Sequence, residues 1–225
     1  MRVAVIGEPG GWHVGRLAGR LAATGHPVSV IRWGDIEAAV GDDAERFGPR
    51  ALDEADAVVV RGMPGAASAG DRLEQVVLRM DVLARLAARG TPVINGPRAL
   101  EAAIDKYLSA ARLAAAGLPV PRCRVAQGID AAARAWRELG GDCVLKPIFG
   151  SRGRGLVHVR SHADLATAGA AAGERIFLLQ ERVPHEGWDV RILTVGERVF
   201  SMRRRAAPGE WRTNVAQGGT PEPFA

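Results

Sequence analysis

The chain has 225 residues, of which 47% are hydrophobic and 24% charged, and it carries a formal charge of +5 with an isoelectric point near 10.1. That length holds one large or two modest domains; no run of about 18 uncharged apolar residues offers a membrane span, and the first residues lack the basic-then-apolar pattern of a leader. No membrane partner and a cytoplasmic location are therefore expected. Excess positive charge suits anionic partners, but the arginines are dispersed and aromatics reach only 5%, which leaves little to stack on single strands. Nucleic acid is the minor reading beside nucleotide phosphates or a polyanionic substrate.

Taken in order, residues 2–6 form a continuous apolar strand, followed by Gly7-Glu-Pro-Gly-Gly and an amphipathic helix. Its apolar positions Val14, Leu17, Ala18 and Leu21 keep helical spacing, and Gly25 ends it. Second and third strands are expected over 28–33 and 57–61, with the stretch 35–56 part helical. Asp71 is placed as the cap of a long helix through Leu73, Val76, Met80, Leu83 and Leu86, which stops at Gly90. Residues 91–95 give a fourth strand. Strands alternating with helices predict a doubly wound parallel sheet, an α/β fold. Glycines 7, 10, 11 and 15 invite a dinucleotide site, but their spacing is wrong and Pro9 removes a donor where pyrophosphate would lie. The ribose acid would be Asp35 or Glu37, each displaced from the strand end. A structural or substrate-lining role is the better reading, and a nicotinamide-dependent oxidoreductase is kept only as a third alternative.

From Gly96 the pattern changes. Pro97 begins a helix, and Asp105-Lys106 marks a second helical start carrying Leu108 and Leu113. Gly117-Leu-Pro-Val-Pro121 terminates it, residues 122–126 read as a strand, and 130–139 as a short helix before Gly140-Gly141. An Ala-rich helix is expected over 162–172, a strongly apolar strand over 176–181, and an antiparallel hairpin from 188–195 and 199–205 joined at Gly196-Glu197. Cys123 and Cys143 lack metal-type spacing and read as free thiols, Cys143 as buried packing. His158 is read as structural and His185 as an exposed loop residue.

Between these elements lies Asp142-Cys-Val-Leu-Lys-Pro-Ile-Phe-Gly-Ser-Arg-Gly-Arg-Gly-Leu-Val-His-Val159. An apolar strand ends in Lys146, a loop follows with Gly150, Ser151, Gly153 and Gly155, and a second strand closes it. Such a loop lets backbone N–H groups close over phosphates. It is no Walker A loop, since no Gly-Lys-Ser/Thr follows and no helix opens after it. A count sharpens the signal. Of the 30 lysines and arginines only Lys106 and Lys146 are lysines. A genome-wide preference for arginine explains the other 28. It does not explain where the two survivors fall, and a compact ammonium differs from a planar guanidinium wherever geometry is tight.

Val93-Ile-Asn-Gly-Pro, Asp105-Lys106, Gly117-Leu-Pro-Val-Pro, Val144-Leu-Lys146-Pro, the Gly150–Gly155 loop, Gln180-Glu181, Asp189-Val-Arg191 and Arg212-Thr-Asn214 occur in that order. As a set, over roughly residues 90–220, they resemble the ATP-grasp superfamily and within it the RimK-like amino-acid ligases. The resemblance implies three parts: an N-terminal α/β domain over 1–95, a central lid over 96–175, and the beginning of an antiparallel C-terminal domain from 176. It implies an ATP-dependent carboxylate–amine ligase working through an acyl phosphate, with glutamate as the amino acid added. The acceptor would be a protein tail, a pterin- or deazaflavin-type cofactor, or a carrier protein. The oligomeric state is left open, a homo-oligomer included.

By the same resemblance Lys106 and Lys146 contact ATP phosphates under the glycine loop, and Glu181, Arg182 and Val183 meet the adenine edge. Asp189, Arg212, Thr213 and Asn214 contact the nucleotide, and Arg191 and Arg204 hold the acyl phosphate or substrate carboxylate, where a bidentate fork is useful. Plain alternatives stand beside these: Glu181 and Asp189 as surface acids at strand ends, and Arg204 as a solvated strand residue. Arg203 and Arg205 alternate with Arg204 and are expected to be exposed. The family binds Mg2+ (or Mn2+) through an Asp and a Glu-x-Asn on two later strands. No such segment is found before Ala225, and Glu222 between prolines is a poor substitute. The expectation is a C-terminally truncated chain without metal ligands and with weak or no ligase activity. A nucleotide-binding module without catalysis is the second alternative.

Overall fold

The computed structural model describes residues 1–41, 45–62, 73–150, 152–172 and 176–224. The chain divides into two units, Met1–Ile104 and Asp105–Ala225. In the first, strands β1 (Val3–Ile6), β2 (Val28–Ile31), β3 (Ala57–Val60) and β4 (Val93–Ile94) form a parallel sheet in the order β2-β1-β3-β4. Alternation explains why β1 is apolar throughout. Val3 and Val5 face α1 (Trp12–Ala23) through Val14, whereas Ala4 and Ile6 face the other way, into a core with Leu83 and Leu86. Those two leucines come from α3 (Leu73–Ala88), and helices on both faces require strands without a polar side. The doubly wound sheet read from the sequence is present.

Its boundaries differ in places. The second strand stops at Ile31 because Arg32 turns to bind Asp35 through Nε (3.0 Å) and Nη2 (2.7 Å), closing a 3-10 turn, Trp33–Asp35, that buries Trp33. The Asp35 carboxylate is thereby engaged, which removes one candidate for a ribose-binding acid. Gly7 is structural: a Cβ there would lie 2.5 Å from the Arg61 carbonyl oxygen. Among the described residues the stretch 35–56 contributes only the single α-turn α2 (Arg50–Asp53). The expected cap Asp71 lies outside the described residues. Helix α4 (Pro97–Ile104) closes the unit.

The second unit opens with α5 (Lys106–Ala115), which starts where expected and is capped by Asp105, whose carboxylate accepts the Leu108 N–H at 2.9 Å. Strands β5 (Cys123–Gln127), β6 (Cys143–Lys146), β7 (Val157–Val159) and β8 (Ile176–Glu181) form an antiparallel sheet in the order β5-β8-β6-β7. Helices α6 (Ile129–Glu138) and α7 (His162–Ala172) share a core with it, where Ala132, Ala133 and Ala135 meet Leu165, Phe177 and Leu179. Small side chains allow that close approach. The strand β8 lies between β5 and β6, although the sequence reading begins the third part at residue 176.

A second sheet holds β9 (Trp188–Val195), β10 (Arg198–Arg205) and β11 (Thr220–Pro223), ordered β11-β10-β9. The β9–β10 hairpin matches its expectation. The short β11 does not follow from sequence pattern, since two of its four residues are prolines; as an edge strand it tolerates their missing donors. Among the described residues no helix is long and apolar enough to cross a membrane.

Candidate functional site

Strand β6 places Lys146 by simple alternation. Cys143 and Leu145 point into the helix-covered core, so Lys146, like Val144, lies on the opposite face. Gln180 pairs with Val144 across β8, and its side-chain oxygen accepts a hydrogen bond from Lys146 Nζ. The thiol of Cys143, fully buried, is pushed up to about 11 by desolvation and by the neighbouring Asp142, so it is packing as expected.

Lys106, at the first position of α5, reaches the same bend. Its Nζ donates to the carbonyl oxygens of Pro147 (2.8 Å), Ile148 (3.2 Å) and Gly150 (2.9 Å). Carbonyl oxygens satisfy three donors but supply no full negative charge. Among the described residues neither lysine forms an ion pair. Burial lowers the pKa of both ammonium groups, and that of Lys106 is lowered further by Lys146, against a smaller opposing effect of Asp105. Two half-buried cations that repel each other would each be stabilised by an anion placed beside them.

The loop after Lys146 turns on three glycines with positive φ, Gly150 (135°), Gly153 (72°) and Gly155 (68°). Ser151 lies outside the described residues. Gly153 admits no side chain, because a Cβ there would come within 2.5 Å of Asn214 Oδ1. Arg212 approaches from the same segment, with Nη1 3.5 Å from the Gly153 carbonyl oxygen. Its Nη2 holds Glu210 at 2.6 Å, and that bond with the two following backbone N–H groups draws the Glu210 carboxyl down to about 2. His158 on β7 holds Asp142 at 2.6 Å and lies beside the Trp211 ring, the structural role expected of it.

Three other expected site residues meet on the hairpin. Asp189 accepts Arg204 Nε at 2.8 Å and Nη2 at 2.5 Å, and Thr213 Oγ1 at 2.7 Å. Burial pushes the Asp189 carboxyl up, but Arg204 and Thr213 outweigh it and hold the pKa below the usual range. The fork of Arg204 is thus taken by Asp189, so the bidentate grip on a substrate expected of it is not what this structure shows. Arg191 stands on the same hairpin face two residues on, opposite Met202, and is exposed. Arg203, expected to be exposed, is instead half-buried, its guanidinium 4.7 Å from the Trp188 ring and 5.1 Å from that of Phe224. Arg205 is exposed, as expected, and pairs with Glu222.

Glu181 at the end of β8 accepts the Arg122 N–H at 2.8 Å and its Nε at 2.6 Å, which lowers its pKa. Its carboxylate is therefore engaged within the fold. The Arg182 N–H bonds to the Asp142 carbonyl at 3.3 Å, and Val183 is exposed. The exposed His185 accepts the Gly187 N–H at Nδ1. Sequence reasoning placed Gln180 in a motif without a role and missed Arg122, Glu210 and Gln217. Only their partners across the fold distinguish them.

A lysine pair beside a glycine loop, on an antiparallel sheet with helices packed on it, defines the class: an α/β protein of layered sheets. Comparison with known families gives the particular one. A model described as the RimK-like ATP-grasp domain matches residues 103–225, and the chain belongs to that family. It is 33% identical over 183 residues to a tetrahydromethanopterin:alpha-L-glutamate ligase of Methanosarcina acetivorans, covering 75% of this chain and 55% of that relative. The chain thus spans little more than half the length of that curated protein. Among solved structures, a RimK domain ATP-grasp protein of Sphaerobacter thermophilus superposes with a TM-score of 0.71 at 25% identity, covering 93% of this chain and 76% of the other. The ATP-grasp ligase PsnB, solved with a phosphomimetic variant of its minimal precursor, Mg and ADP, does so at 0.63 and 25% identity, over 90% and 71%. The resemblance read from the ordered motifs is confirmed.

Proposed function

We propose that this chain forms the nucleotide-binding part of an ATP-dependent carboxylate–amine ligase that adds glutamate to a carboxylate acceptor. The neighbouring ammonium groups of Lys106 and Lys146, hydrogen-bonded only to carbonyl and amide oxygens among the described residues, carry this reading. ATP, when bound, supplies a transferable phosphoryl group that activates a carboxylate toward an amine. The chain's own residues position and neutralise: Lys146 and Lys106 attract the phosphates, and the Gly150–Gly155 loop offers backbone donors and excludes water. In this reading the β5–β8 sheet is the lid, and the third part begins after Glu181 rather than at residue 176. Glutamate is favoured by the name of the Methanosarcina relative. The acceptor stays a class, since a pterin appears in one relative's name and a precursor peptide with one neighbour.

Metal ligation is a different matter. A hard cation needs several oxygen ligands, and among the described residues no group of three or more His, Cys, Asp or Glu gathers. Asp189 is already held by Arg204 and Thr213. The described residues therefore do not fit a magnesium site, and the roles assigned here stop at the nucleotide. Calorimetric titration of the chain with ATP in magnesium buffer should give saturable binding, whereas NADH should give none. Lys146→Met should weaken ATP binding by roughly ten-fold or more, as expected for loss of a charge-assisted contact. Unchanged ATP affinity in that variant would remove the reading. A second reading, nucleotide binding without transfer, is favoured by the engagement of Arg204 with Asp189. ADP formation dependent on glutamate and an acceptor would exclude it.

A further inference from the structure

We propose that Gln217 is a positioning residue for the glycine loop, fastening Arg152 and Gly153 to the tight turn that also carries Asn214. Gln217 Nε2 donates to the Arg152 carbonyl oxygen at 3.1 Å across 65 residues of sequence. Asn214 packs against Gly153 so closely that no side chain fits, and Arg212 reaches the Gly153 carbonyl. Three residues of one short segment therefore land on two consecutive residues of the loop.

The backbone at the landing point needs such a hold. Arg152 has φ 63°, the only positive φ of a non-glycine among the described residues. That conformation costs free energy and persists where the surroundings impose it. The turn is equally determined. Val215–Gln217 is one 3-10 turn, closed by Gln217 N–H to the Asn214 carbonyl at 2.8 Å and Gly219 N–H to the same oxygen at 3.1 Å. A Cβ on Gly219 would lie 2.3 Å from the Thr213 carbonyl oxygen, so the chain can fold back only with glycine there. Thr213 in turn bonds to Asp189 on β9. The result is a mechanical line from the hairpin through the turn to the loop. The loop's role in covering phosphates rests on the ligase reading above; the fastening itself does not.

Arg152 and Arg154 make the test direct, because trypsin cleaves after arginine and reports local opening. Gln217→Met keeps the length and removes the donor. In the full 225-residue chain without nucleotide, cleavage after Arg152 and Arg154, followed by mass spectrometry, should become about five-fold faster, the effect of losing one hydrogen bond from a local opening equilibrium. Cleavage after Arg198 at the hairpin tip should stay at the parent rate, and the thermal midpoint should fall by no more than about 2–4 °C, what one hydrogen bond is worth in a chain of this size. An unchanged rate at Arg152 and Arg154 would overturn the proposal. So would a matching acceleration at Arg198 with a midpoint lowered further than that, which would show general loosening. Failure of the parent chain to bind ATP would count against the ligase reading alone, since the cleavage comparison uses no nucleotide.

Discussion

Asp189 shows how a single side chain can be read two ways until its partners are known. Held by Arg204 and Thr213, its carboxylate sits on a side-chain network across β9, β10 and the segment before the 3-10 turn. Its folded pKa lies below the ordinary 3.8. A lowered carboxyl stabilises the fold at pH values above its unfolded pKa, and that contribution disappears as pH falls through the depressed folded value. Asp189→Asn should therefore destabilise the chain at neutral pH by about 1–2 kcal/mol, the cost of stripping a charge-assisted bond from a partly exposed site. Urea unfolding at a series of pH values checks this. The gap between variant and parent should hold above pH 3.8 and shrink in stronger acid; a gap independent of pH down to the acid limit would show that Asp189 acts only through packing.

At the scale of elements, α5 links capping to the site. Asp105 caps the helix, and the next residue is Lys106, so a lost cap both weakens the helix and loosens the ammonium beside the loop. Asp105→Ala is expected to cost about 1 kcal/mol in denaturant titration. It should also reduce ATP affinity, whereas a surface variant such as Arg112→Ala, at the other end of α5, should leave that affinity alone. The reverse pattern would separate the helix start from the site. The same scale explains why the sheet that receives β8 is not read from the sequence. An apolar strand of six residues is legible from its run of Ile, Phe and Leu, but a run does not say which sheet receives it. Register with β5 and β6 decides that.

For the whole molecule, the scarcity of amines becomes an experimental handle. Only Lys106 and Lys146, besides the N-terminus, carry a primary amine among 30 basic side chains. Both have pKa values lowered from 10.5, so between the lowered value and 10.5 a larger neutral fraction is available than for an ordinary lysine. Amine acylation at alkaline pH should label these two side chains readily, and ATP should protect both. Bound phosphate should also raise their pKa values again, so ATP binding in that window should take up protons, measurable by calorimetry in buffers of different ionisation enthalpy. Labelling indifferent to ATP, or binding without proton uptake, would place the nucleotide elsewhere.

The amino-acid sequence alone determined the parallel first sheet, the helical start at Asp105-Lys106, the hairpin, and the family, because hydrophobic period and ordered motifs are local properties of the chain. It also singled out the two lysines, through a compositional contrast that needs no coordinates. Only the tertiary structure decided that Arg204 holds Asp189, that Arg203 packs against Trp188 and Phe224, that β8 pairs with β5 and β6, and that a proline-bearing β11 forms an edge. It likewise joined Gln217 to Arg152. The reason is physical. An arginine carries the same charge and fork wherever it stands, and whether it meets substrate, solvent or a carboxylate depends on neighbours brought in from tens of residues away by packing and strand register.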